Sequence, residues 1–93
     1  MQPTVLINHH RQTAIIVAKQ GNKLQLIKLE KGQLTVSSLT AAKIETLGYR
    51  VSDYSPCEAA QTYLRHGAGV SKRARMYLEQ IVHNRIPGTL NLI

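Results

Sequence analysis

The chain has 93 residues, with 12 Lys and Arg against 5 Asp and Glu, for a formal net charge of +7. That length holds one domain, and a hydrophobic content of 43% is too high for a disordered polycation. The longest apolar run, Ala14 to Ala18, falls far short of the ~20 residues a membrane span needs.

Thr4-Val5-Leu6-Ile7-Asn8 is β-branched and apolar and reads as a first strand, followed by a polar break at His9-His10-Arg11-Gln12. Thr13 to Lys19 is dense in β-branched residues and reads as the central strand. Gly21-Asn22 then suits a tight two-residue hairpin, because glycine accepts the positive φ such turns require. In Lys23 to Leu29, Leu24, Leu26 and Lys28 share one face, while Gln25, Ile27 and Leu29 share the other. A turn at Glu30-Lys31-Gly32-Gln33 leads to a short strand, Leu34 to Ser37, which completes an antiparallel meander. Thr40 to Leu47 suggests a short helix stopped by Gly48, with Leu39, Ala42 or Lys43, and Leu47 on its inner face. Tyr49 to Asp53 alternates again and suggests a fifth strand. Five such strands are able to curl into a partly open barrel of SH3-like kind.

Helix signals govern the second half. Ser55-Pro56-Cys57-Glu58 combines a capping serine, proline at the first helical position and glutamate at the third. This helix is expected to reach His66, face Ala59, Ala60, Tyr63 and Leu64 inward, and stop at Gly67. Ser71 caps a second helix from Lys72 to about His83, with an apolar stripe of Ala74, Tyr77, Leu78, Ile81 and Val82. Pro87-Gly88 is expected to break the chain before an apolar tail, Thr89 to Ile93, that suits strand pairing with the sheet or a second subunit. The fold class is therefore α+β: a β-rich meander over 1–54, a helical hairpin over 55–86 and a tail over 87–93, all in one domain.

Charge carries the functional reading. Residues 1–54 hold seven cations against three acids, and residues 55–93 hold five against two, so neither half is a detachable basic tail. A surplus spread over a folded body attracts polyanions. Lys72-Arg73-Ala74-Arg75 opens the last helix, where each cation is disfavoured by about 0.3–1 kcal/mol. Arg65 and His66 stand just before it. Cations beside free backbone N–H groups suit a phosphate; the bland alternative is a solvated helix face whose side-chain stems cover apolar surface. Lys19 and Lys23, flanking the Gly21-Asn22 turn, form a second candidate set with Arg11, Lys28 and Lys31, although lysines at strand ends also discourage aggregation.

A helix-turn-helix around Gly69-Val70-Ser71 is disfavoured, because Arg65 and Arg75 occupy positions where that motif buries small or apolar residues. His9 and His10, if extended, point to opposite sides and lack a companion ligand, so no metal or other cofactor is expected. Cys57 reads as a partly buried structural thiol, since no base can be paired with it. The five acids are dispersed, and neither a phosphate-binding glycine loop nor a dinucleotide fingerprint occurs, which argues against an enzyme. The N-terminus lacks a charged start followed by an apolar stretch, and the single cysteine makes no internal disulfide, which predicts a cytoplasmic protein. The expected partner is nucleic acid or an acidic protein surface, with self-association through the tail as a further expectation and no membrane role.

Overall fold

A computed structural model describes residues 3–65 and 69–91, with side chains through residue 83. The first half folds as strands β1 (Thr4–Ile7), β2 (Thr13–Gln20), β3 (Lys23–Glu30) and β4 (Gln33–Thr40), then helix α1 (Ala41–Thr46) and strand β5 (Arg50–Val51). The second half holds helix α2 (Pro56–Arg65), strand β6 (Gly69–Val70) and helix α3 (Lys72–Asn91). The sheet order is β5-β1-β2-β3-β4-β6, with β1 to β4 an antiparallel meander and β6 parallel to β4.

Local chemistry explains the hairpins. Gly21 sits at φ 60° ahead of Asn22, a left-handed conformation that the β2–β3 turn needs and that glycine adopts at the least cost. At the β3–β4 turn Lys31 and Gly32 stand at φ 51° and 76°. Asn8 organises the β1–β2 loop. Its buried side-chain oxygen accepts the N–H groups of His10 and Gln12, both at 3.0 Å.

The sheet is open, not the partly open barrel the strand count suggested. A barrel hides one face of its sheet inside itself, whereas helices cover both faces here. On one face, Val5, Ile15, Ile27 and Leu34 pack against Ala60 of α2 and Ala74, Leu78 and Ile81 of α3. On the other, Leu6, Ala14, Ile16 and Leu26 pack against Ile44 of α1. Strand β4 is also longer than expected, so Leu39 belongs to it. The buried residue of α1 is Ile44, while Ala42, Lys43 and Leu47 are exposed.

The helical hairpin lies on the sheet as expected. Ser55 Oγ accepts the Glu58 N–H at 3.3 Å, and Ser71 Oγ accepts the Ala74 N–H at 3.1 Å, so both capping serines act as read from sequence. Two expectations change. Gly69–Val70, taken as connection, adds a strand beside Gln33 and Leu34, because the chain must pass that edge to reach α3. The α3 backbone continues through Pro87-Gly88 to Asn91, so residues 89–91 are helical and not a strand-forming tail. An internal proline removes one backbone donor, and here the helix spans that gap. Gly67, the expected stop of α2, lies outside the described residues.

Two side chains yield tests of this packing. Tyr63 Oη and Thr13 Oγ1 lie 2.6 Å apart beneath α2. Burial pushes the Tyr63 hydroxyl above its usual value of 10.0; the Thr13 hydrogen bond opposes this and the nearby Tyr49 adds to it. The unfolded chain therefore ionises first. The contribution is complete below about pH 10 and is lost as pH rises through the raised folded value. Tyr63→Phe should cost about 0.5–1.5 kcal/mol at neutral pH for the lost hydrogen bond and flatten the alkaline decline in urea-unfolding midpoints. Gly48 ends α1 at φ 84°, and a Cβ there would stand 2.9 Å from His9 Nδ1. Gly48→Ala should lower stability by about 1–2 kcal/mol from the left-handed backbone alone, and shift the His9 ring resonances by NMR.

Candidate polyanion-binding surface

A buried amide decides where the cations of α3 point. Gln25 lies in the middle of β3, only 2% exposed, on the face that carries α2 and α3. Its side-chain oxygen accepts from Arg73 Nη2 at 3.1 Å and from Tyr77 Oη at 3.0 Å. Its side-chain nitrogen donates to Gln20 Oε1 at 2.8 Å. Arg73 and Tyr77 are four residues apart, so one flank of α3 presents both to the same acceptor. A hydrogen bond from a charged donor contributes about 1.5–3 kcal/mol, more than the roughly 0.3–1 kcal/mol that a cation loses in a first helical turn. The placement of Arg73 is thus accounted for by the fold.

The other two members of that run separate from it. Residues two apart on an α-helix lie about 160° apart around its axis, which puts Arg73 and Arg75 on opposite flanks. Arg75 Nη1 stands 4.0 Å from Glu79 Oε1, an exposed pair one turn apart. Lys72 is exposed at the first turn, and Arg65 is exposed at the last residue of α2. The four helical cations therefore form no single cluster.

Strand register sorts the sheet lysines. Lys19 lies opposite Leu24 and shares the α1 face, whereas Lys23 lies opposite Gln20 and shares the face of Gln25. Both are exposed beside the Gly21 turn. Lys23 is also opposite Thr40, whose Oγ1 accepts the Lys43 N–H at 3.2 Å. Lys43 is exposed, and the Gln20–Gln25–Arg73 chain of hydrogen bonds brings Arg73 to the same region. The β2–β3 hairpin end of the sheet thus carries Lys19 and Lys43 on the α1 face and Lys23 and Arg73 on the α3 face. Sequence reading missed Lys43 and Gln25. The signal for Lys43 was Thr40, a capping residue that turns the chain back beside Lys23.

At the opposite end, Lys28 Nζ bonds Glu30 Oε1 at 2.8 Å. His9 and His10 do not point apart there as extended residues would. Their rings are 4.1 Å apart, because the loop turns tightly around Asn8. Among the described residues, no three His, Cys, Asp or Glu side chains come together. Cys57 is half-buried and takes part in no disulfide. Grooves of about 330 Å³ and 280 Å³ flank Tyr63 and share Thr13 and Thr62. No buried side-chain polar atom among the described residues lacks a hydrogen-bond partner. Among them, too, no helix is long and apolar enough to cross a membrane. No protein-family model, curated protein or solved structure matches the chain.

The hub role of Gln25 has a measurable consequence. Gln25→Leu keeps the volume but leaves the Arg73 and Tyr77 donors without their acceptor, and should cost about 1–3 kcal/mol in urea unfolding. Adding Tyr77→Phe should recover part of that loss, because the orphaned hydroxyl goes with it.

Proposed function

We propose that the protein is a non-enzymatic nucleic-acid-binding module that contacts the phosphate backbone through the β2–β3 hairpin end of its sheet. The observation that carries this reading is the placement of Lys19, Lys23, Lys43 and Arg73 at that end, two on each face of the sheet, where all four are exposed. Among the described residues the ion pairs are Lys28–Glu30 and Arg75–Glu79, so none of the four meets a carboxylate. Uncompensated cations on a rigid sheet end attract a polyanion without any cost of breaking internal pairs. Lys72, exposed on α3, extends the positive field.

The chemistry favours backbone contact over base reading. Tyr77 is turned in toward Gln25, and the exposed Tyr54 follows β5 at the other edge of the sheet. A surface of lysines without exposed rings holds phosphates and has no platform on which to stack bases.

Affinity should then fall linearly in logarithmic terms with salt, by about 0.7–0.9 per phosphate neutralised. The test is a salt-titrated gel shift with duplex DNA, single-stranded DNA and RNA. The variant carrying Lys19→Glu, Lys23→Glu and Lys43→Glu should lose binding. A charge-matched control carrying Lys31→Glu, Arg50→Glu and Arg65→Glu, all remote from the hairpin end, should retain most of it. Equal losses in both would mean that net charge alone drives binding, and the site would be wrong. No shift at low salt for any of the three nucleic acids would turn the same cations toward an acidic protein surface.

A further inference from the structure

Strand β4 presents an open edge. Its eight residues pair fully with β3, but on the outer side β6 covers only Gln33 and Leu34. Leu34 O accepts the Ser71 N–H at 3.0 Å from outside the sheet. By the alternation of an antiparallel ladder, Val36 and Ser38 also turn their N–H and C=O groups outward. Among the described residues no strand, helix or side chain takes up these groups.

The edge also lacks the features that usually keep such a strand single. Thr35-Val36-Ser37-Ser38-Leu39 contains no charge and no proline, and its register against β3 is unbroken. Proteins protect open edges with lysine, proline, bulges or very short strands. The opposite edge has two of these, since β5 is two residues long and contains Arg50. The one register shift in the meander lies inside the sheet, between Ile16 and Ala18 of β2, where it shields no edge.

We propose that the β4 edge is a self-association surface, and that its occupant is β4 of a second copy of this chain. A two-fold axis at Ser37 sets Val36 opposite Ser38 of the second copy, so that the outward N–H and C=O groups of each satisfy the other. It sets Ser37 opposite Ser37 and Thr35 opposite Leu39, with no like charges facing each other. The ends of the free stretch do not obstruct this pairing. Beyond Thr40 the chain turns into α1 on one face, and beyond Ser71 it enters α3 on the other. The pairing joins two six-stranded sheets into one.

Sedimentation velocity over rising protein concentration tests this. The wild type should approach twice the monomer mass at high concentration. Association should strengthen with salt, which screens the +7 on each copy. Phosphate binding weakens with salt, so the two readings succeed or fail separately. Ser38→Pro removes an outward donor and no bond to β3, and Ser38→Lys places a charge on the edge; both should stay monomeric with unchanged circular dichroism. Amide exchange gives an atomic readout. The Val36 and Ser38 amides should gain protection as concentration rises, and lose that gain in Ser38→Lys. A wild type that stays monomeric at every concentration and salt would overturn the proposal and leave the edge to a strand of another protein. A dimer that persists in both Ser38 variants would place the interface elsewhere.

Discussion

Ile15 and Ile27 face each other across the central strand pair on one side of the sheet, and Ile16 and Leu26 do so on the other. All four are buried. Fully burying such a side chain contributes roughly 1.5–3 kcal/mol, and a chain without Trp or Phe has few larger sources of apolar area. Both faces of β2 and β3 must therefore be covered. One face takes α2 and α3, long enough to bring Ala60, Ala74, Leu78 and Ile81 onto it. The other takes the six-residue helix that follows β4, which lowers Ile44 onto Leu26. The open sheet, the length of β4 and the position of the helical hairpin all follow from this two-sided demand.

The same demand makes the polar residue at Gln25 consequential. An amide in the middle of a buried strand is costly unless its groups are bonded, at about 1–3 kcal/mol. Three partners meet that need, from β2 and from two positions on α3. Arg73 thereby becomes part of the fold, and the first turn of α3 keeps a cation that the helix dipole disfavours. A charge placed against local stability usually points to a ligand. Here a buried acceptor one layer below outweighs that inference.

The meander was legible in the sequence because β-branched runs and turn residues are local signals. Thr13 to Lys19 and the Gly21-Asn22 pair each specify their own conformation. The stripe Ala74, Tyr77, Leu78, Ile81, Val82 was legible for the same reason, since a period of 3.6 is written along one helix. Coverage of the second face was not, because Ile44 sits in a six-residue helix too short to show a period. A two-residue strand such as Gly69–Val70 has no pattern either. It forms because β4 offers it an edge. The candidate site suffered most: Lys72, Arg73 and Arg75 look like one cluster when counted along the chain. Helical geometry and the non-local partner Gln25 separate them, while Lys43 joins Lys23 only through the pairing of Thr40.

Charge and strand edge act on the same equilibrium from opposite directions. The segment Thr35 to Leu39 carries no charge. Repulsion between two +7 bodies opposes edge pairing at low salt. A polyanion, if held at the hairpin end as proposed, would neutralise part of that charge, so occupancy of one surface would favour pairing at the other. The coupling is reciprocal by thermodynamic necessity. The β4 pairing is antiparallel, so the two hairpin ends of such a dimer would lie at opposite ends of the joined sheet, and each would meet its own stretch of phosphates.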